Sequence, residues 1–167
     1  MIRILLPLDG SAHALDAVRH VIGWKQLGLE LEVVLLNVQE PPHLYEIMLS
    51  ADVDVIDGAR RGAGEHALEP AIALLSQAGI ETESVVVTGD AAHEIAEQAL
   101  TLGCDQIVMT TLSHGALLGR LQEAVSHEVV RRAHLPVTLV PPPLREVEAD
   151  DLAALGGPDG PADDEPR

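Results

Sequence analysis

Eight histidines, a single cysteine and the serines Ser11 and Ser113 are the side chains of this chain that invite a chemical reading. His93-Glu94-Ile95-Ala96-Glu97 opens like the zinc-protease pattern, in which two histidines four apart on a helix hold the metal and a glutamate acts as base. Glu97 stands where the second histidine belongs. His13 with His20, and His127 with His134, are seven residues apart. On a helix that is ~10 Å along the axis, too far to share one ion. No metal site is expected, and the histidines read as ordinary surface residues, with His114 set apart by its place in a predicted ligand loop. Neither Ser11 nor Ser113 sits in a G-x-S-x-G elbow, and Ser11 reads better as a helix cap. Cys104 is alone, so there is no internal disulfide and no all-cysteine metal centre. Lys25 is the only lysine, and no phosphate loop surrounds it. Gly62-Ala63-Gly64-Glu65-His66-Ala67 fits a dinucleotide pattern by letter but follows no strand. No catalytic residue is expected, and the chain does not read as an enzyme.

The elements that would position these residues alternate. Continuous apolar runs at Ile2–Leu8, Leu31–Val38, Ser84–Thr88, Gln106–Thr111 and Pro136–Val140 suit strands buried on both faces of a parallel sheet. Between them lie amphipathic helices predicted at Ser11–Leu27, Ala63–Gln77, Ala91–Leu102 and Gln122–His134. Gly79 and Gly103 are placed to end the second and third of these. The Pro- and Asp-containing connection Glu40–Gly62 carries no clear pattern. The order implies one doubly wound α/β domain with a five-stranded parallel sheet. In such a sheet ligands bind beyond the carboxyl ends of the strands. Pro7-Leu8-Asp9-Gly10-Ser11, Val38-Gln39, Thr88-Gly89-Asp90 and Met109–Gly119 stand at those ends, and among them Pro7, Leu8, Asp9, Val38, Met109 and Thr110 are the candidate ligand-binding residues. A receiver domain would also place Asp9 there, but Thr88 and Pro141 stand where it needs a carboxylate and a lysine.

Charge narrows the partners. The 167 residues hold 27 acids against 10 bases, a formal net charge of −17 at pH 7. Such a chain repels nucleic-acid phosphates, and Trp24 and Tyr45 are its only aromatics, so it lacks stacking platforms as well. Neither nucleic acid nor a membrane is an expected partner, and no run approaches the length of a membrane span. A cytoplasmic location is the expectation. Residues 1–143 read as the folded domain. Residues 144–167, after Pro141-Pro142-Pro143, hold eight acids and two arginines, and read as an acidic tail with too little to bury to become ordered.

Four segments in order bear a resemblance to a known family. They are Pro7-Leu8-Asp9-Gly10-Ser11, Gly89-Asp90-Ala91-Ala92-His93-Glu94-Ile95, Cys104-Asp105-Gln106-Ile107-Val108-Met109, and Val125-Ser126-His127-Glu128-Val129 running on to His134-Leu135-Pro136-Val137-Thr138-Leu139-Val140-Pro141. Together the chain resembles the universal stress protein family over about residues 1–143. The resemblance implies an adenine-nucleotide alpha hydrolase-like fold with an adenine-nucleotide-type pocket at the switch point. It also implies a homodimer in which the last strand pairs across a two-fold axis through Val137, Leu139 and Val140. Those residues would form an apolar edge strand, which needs a cover or a partner. An unidentified protein partner is a further possibility.

Nucleotide-binding members of the family share Gly-x-x-Gly followed nine residues later by Gly-Ser or Gly-Thr. The resemblance places Thr110, Ser113, Glu123 and Ala124 there, followed by Val125 and Ser126, so the glycines and the hydroxyl are missing. At ~4 Å from a phosphate and an effective dielectric of ~20, the Glu123 carboxylate would be repelled by about 4 kcal/mol per unit charge. That lowers affinity roughly a thousandfold. Alternatively, Glu123 is an exposed first-turn acid favoured by the helix dipole. The resemblance also matches Asp9, Leu8 and Val38 to positions that hold base and ribose. Asp9 would accept from an adenine amino group, or else hydrogen-bond its own loop amides. No cofactor is expected, with weak binding of ATP or AMP as the alternative.

Overall fold

A computed structural model describes residues 1–41, 53–111 and 119–141, with residues 53–56 and 119–124 described by their backbone alone. Five strands are present: β1 (Ile2–Pro7), β2 (Leu31–Gln39), β3 (Thr82–Thr88), β4 (Gln106–Thr110) and β5 (Val137–Val140). Between them run α1 (Leu15–Gln26), α2 (Val53–Gln77), α3 (Ala91–Thr101) and α4 (Gly119–Arg132). All pairings are parallel and the strand order is β3-β2-β1-β4-β5, the doubly wound sheet expected from the alternating pattern.

Two cores form on the two sheet faces. Ile4, Leu6, Val33 and Leu35 point to one side and pack with Val18 and Val21 of α1 and Leu68, Ala71 and Leu75 of α2. Leu5, Val34, Leu36, Ile107 and Met109 point to the other, against Ala92, Ile95 and Ala99 of α3 and Val129 of α4. Burial on both faces is why these strands read as unbroken apolar runs. Fully burying one such aliphatic side chain stabilises by about 1.5–3 kcal/mol. The cores therefore rest on branched aliphatics, with no aromatic needed.

Element boundaries moved in a few places. The second helix begins at Val53, ten residues before the predicted Ala63, so most of the second half of the Glu40–Gly62 connection is helical. Its first turns are rich in small and charged residues, and residues 57–63 are exposed or half-exposed, so no apolar stripe announces them. The last helix starts at Gly119, three residues before Gln122, and stops at Arg132 rather than His134. β3 starts at Thr82 because Thr82 and Glu83, both exposed at the sheet's edge, lack the apolar signature of a buried strand. Gly79 and Gly103 close α2 and α3 with φ of +66° and +65°, as their placement predicted. Ser113, His114 and the segment 144–167 lie outside the described residues, as do the side chains of Glu123 and Ala124.

Candidate functional site

The order of the strands reverses between β1 and β4, and there the two part. The β1–β4 ladder registers only Ile4 with Gln106 and Leu5 with Ile107, whereas β1 and β2 stay in register through Pro7 and Leu36. Pro7 has no N–H to extend a ladder. Past this point a cleft of about 110 Å³ opens at the carboxyl ends of the strands. It is lined by Pro7, Leu8 and Asp9 from β1 and its turn, Met109 and Thr110 from β4, and Val38 and Leu36 from β2. Ala14, Ile95 and Val125 close it from the helices. All six candidate residues are brought together here, whereas Gly10, Ser11, Gln39 and Thr88-Gly89-Asp90, also at strand ends, are not in its lining. Asp9 is the one charged side chain and Thr110 the one hydroxyl among the described lining residues.

The turn that presents Asp9 is held by the neighbouring strand. Leu8 N–H donates to the Leu36 carbonyl (2.8 Å), and Asn37 Nδ2 donates to the Leu8 carbonyl (2.7 Å). Asn37 is buried, and its Oδ1 accepts from Gln39 Nε2 at 2.5 Å. Buried amides are kept where each group has a partner. Gly10 follows with φ +83°, and a Cβ there would lie 3.0 Å from the Ala67 Cβ of α2, so glycine is needed for backbone and packing alike. Asp9 Oδ1 accepts from the Ser11 N–H at 2.9 Å. Of its two possible roles, the loop bond is therefore made within the chain itself.

Ser11 departs from expectation. Its Oγ accepts from Ala14 N–H at 3.2 Å, the reach of a cap, but the residues between form a separate turn. α1 starts at Leu15, with Ala14 in the cap position and no side-chain cap. The third helix does have one: Asp90, extended at φ −72° and ψ 122°, accepts from His93 N–H at 2.9 Å. A cap of this kind is worth about 1 kcal/mol, and it fixes the start of the helix that delivers Ile95 to the cleft. Asn37, Ala14, Leu36 and Ile95 were not among the expected site residues. Asn37 alone had a readable signal, a lone amide inside an apolar strand.

Of the positions in and just after the phosphate motif, Thr110 and Val125 line the cleft, whereas Ser126 is fully buried. Gly62-Ala63-Gly64-Glu65-His66-Ala67 lies within α2. Gly64 is there for contact: a Cβ would meet Val86 Cγ1 at 2.5 Å and Asn37 Oδ1 at 2.9 Å. Its role is close helix–sheet packing, and no phosphate site is involved.

At the other end of the sheet stands the chain's main ion cluster. Arg3 reaches Glu32 at 2.9 Å and Glu83 at 2.5 Å. Its N–H donates to Asp105 Oδ2 at 2.7 Å. The hydrogen bond that Arg3 donates to Glu32 comes first in holding the Arg3 pKa above its ordinary value. Beside it, burial pushes the Cys104 thiol pKa up.

A doubly wound sheet with an apolar cleft at its switch point defines an α/β domain of the nucleotide-binding-like fold. Residues 1–141 match the Universal stress protein family, and the chain belongs to it. It is 27% identical over 144 residues to the universal stress protein MJ0531 of Methanocaldococcus jannaschii, covering 86% of this chain and 84% of that one. It is 31% identical over 140 residues to the universal stress protein Sll1654 of Synechocystis, covering 83% and 84%. Among solved structures, the protein MJ0577 superposes with a TM-score of 0.68 at 27% identity, over 87% of this chain and 97% of that one. Two others share the fold. A universal stress protein in complex with cAMP has a TM-score of 0.62 at 22% identity, over 83% and 96% of the two chains. A family member from Arabidopsis thaliana with AMP bound has 0.64 at 18%, over 91% and 99%. No described helix is long and apolar enough to cross a membrane.

Proposed function

We propose that this universal stress protein is a cytoplasmic, homodimeric stress-response module that belongs to the branch without tight ATP binding and has no catalytic activity of its own. One observation carries the reading: the described lining of the cleft holds a carboxylate, Asp9, and no cation. A triphosphate entering there would meet like charge, with Thr110, Ser113 and Glu123 in place of the backbone-exposing glycines and Ala124 in place of the hydroxyl residue. Dimerisation through β5 is supported by its place at the sheet edge and by its apolar Val137, Leu139 and Val140.

A second reading rests on the cleft itself, whose apolar walls and single carboxylate suit a neutral heterocycle; the AMP- and cAMP-bound proteins of the same fold are compatible with it. Under it the domain senses a small adenosine-like ligand. One set of titrations separates the two. Light scattering is expected to give twice the 17.7 kDa chain mass, and the protein is titrated calorimetrically with Mg-ATP, AMP and cAMP. No micromolar binding of Mg-ATP is expected, and micromolar binding would overturn the first reading. Heat and thermal stabilisation with AMP or cAMP that Asp9→Ala removes would establish the second.

A further inference from the structure

We propose that His93, Glu94 and Glu97 form a binding site for a first-row transition dication of the zinc class on the solvent-facing side of α3. The ligand atoms of these three residues all lie within 4.8 Å of one another. His93 Nε2 and Glu97 Oε2 are 3.1 Å apart. Two ligands held ~2.0–2.2 Å from one zinc ion in tetrahedral geometry are about 3.3–3.5 Å apart, so this pair already spans one edge of the coordination shell. The spacing comes from helix geometry: residues 93 and 97 are one turn apart, and the Asp90 cap fixes where that turn begins.

Glu94 supplies the third ligand and is the best-held of the three. It is half-buried, with its carboxylate packed where a Cβ of residue 89 would stand, 2.6 Å from Oε1, so Gly89 makes room for it. Gln98 Nε2 donates to its Oε2 at 3.4 Å. One imidazole nitrogen with two carboxylates is a donor set for zinc and its neighbours rather than for calcium or magnesium, which take oxygen alone. His134, from the turn before β5, lines the same groove as His93 and Glu97. Arg131 and Arg132 also border that groove, but both are engaged by Glu128, at 2.9 Å and 2.6 Å.

The test uses the full chain, freed of metal by chelation and titrated with zinc by calorimetry and with cobalt by visible absorption. One ion per chain is expected. His93→Gln and Glu97→Gln, both at exposed positions, should each weaken binding by about tenfold or more while leaving the circular dichroism spectrum unchanged. His66→Gln is the control, since His66 and Glu69 make the same 3.1 Å contact with no third ligand beside them. It should bind zinc as the parent does. Absence of saturable zinc binding, or binding that survives both substitutions on α3, overturns the proposal.

Discussion

The two ends of the sheet handle polar groups in opposite ways. At the amino end Arg3 draws in acids from three places, Glu32 on β2, Glu83 on β3 and Asp105 before β4. The starts of β1, β2 and β3 are tied there by ion pairs, and Asp105 accepts from the Arg3 backbone N–H. At the carboxyl end the strands part, and the fixed polar groups act inward: Asn37 holds the Leu8 carbonyl and Asp9 holds its own turn. The amino end is thus closed by ion pairs. The carboxyl end is an apolar cleft kept open by hydrogen bonds behind its wall. In a doubly wound sheet the loops at one end can vary without disturbing those at the other.

The largest expected effect attacks the wall of the cleft from behind. Gly64→Val forces a side chain onto Val86 and Asn37, and overpacking of this kind costs about 2–3 kcal/mol. Urea unfolding should show that loss as a lowered midpoint. Next comes Asn37→Leu, which leaves the Leu8 carbonyl without its donor and should cost about 2 kcal/mol. Arg3→Met, at the opposite end, removes a half-exposed cluster and should cost only about 1 kcal/mol, a difference that shrinks in high salt. Hydrogen exchange tells the ends apart. Asn37→Leu should speed exchange of the Ser11 amide, and Arg3→Met should leave it unchanged. Equal acceleration in both would mean that the two ends are not independent.

The strands could be read because each buries both faces, leaving an uninterrupted apolar run in the sequence. The start of α2 could not, since its small and charged residues carry no stripe that periodicity could detect. For the cleft, the strand ends gave a set wider than its lining, with Gly10, Ser11, Gln39 and Thr88–Asp90 beside Pro7, Leu8, Asp9, Val38, Met109 and Thr110, and the resemblance pointed to Leu8, Asp9 and Val38 among them. Ile95 and Ala14 were invisible because they reach the cleft only through how α3 and the turn before α1 lie on the sheet, a property of packing with no local signature. Gly64 shows the converse: its letters fit a dinucleotide pattern, and only the distance to Val86 reveals a packing glycine.

The smallest effect gives the most specific probe of the amino end. Cys104 is 6% exposed, and burial is the main cause of its raised thiol pKa. The Arg3 charge beside it pulls the other way. Only the thiolate attacks a disulfide reagent, so at pH 8 the folded chain should react at least about tenfold more slowly than the chain in denaturing urea. The pH dependence of that rate then reports the local charge. In Arg3→Met the nearest cation is gone, less holds the thiolate down, and the midpoint of the rate profile should move to still higher pH. In Asn37→Leu, where the damage lies behind the cleft, the midpoint should stay where it is. A midpoint that falls in Arg3→Met would mean that the cluster acts on Cys104 by excluding solvent, with its charge secondary, and the contrast between a charge-closed end and an open one would have to be redrawn.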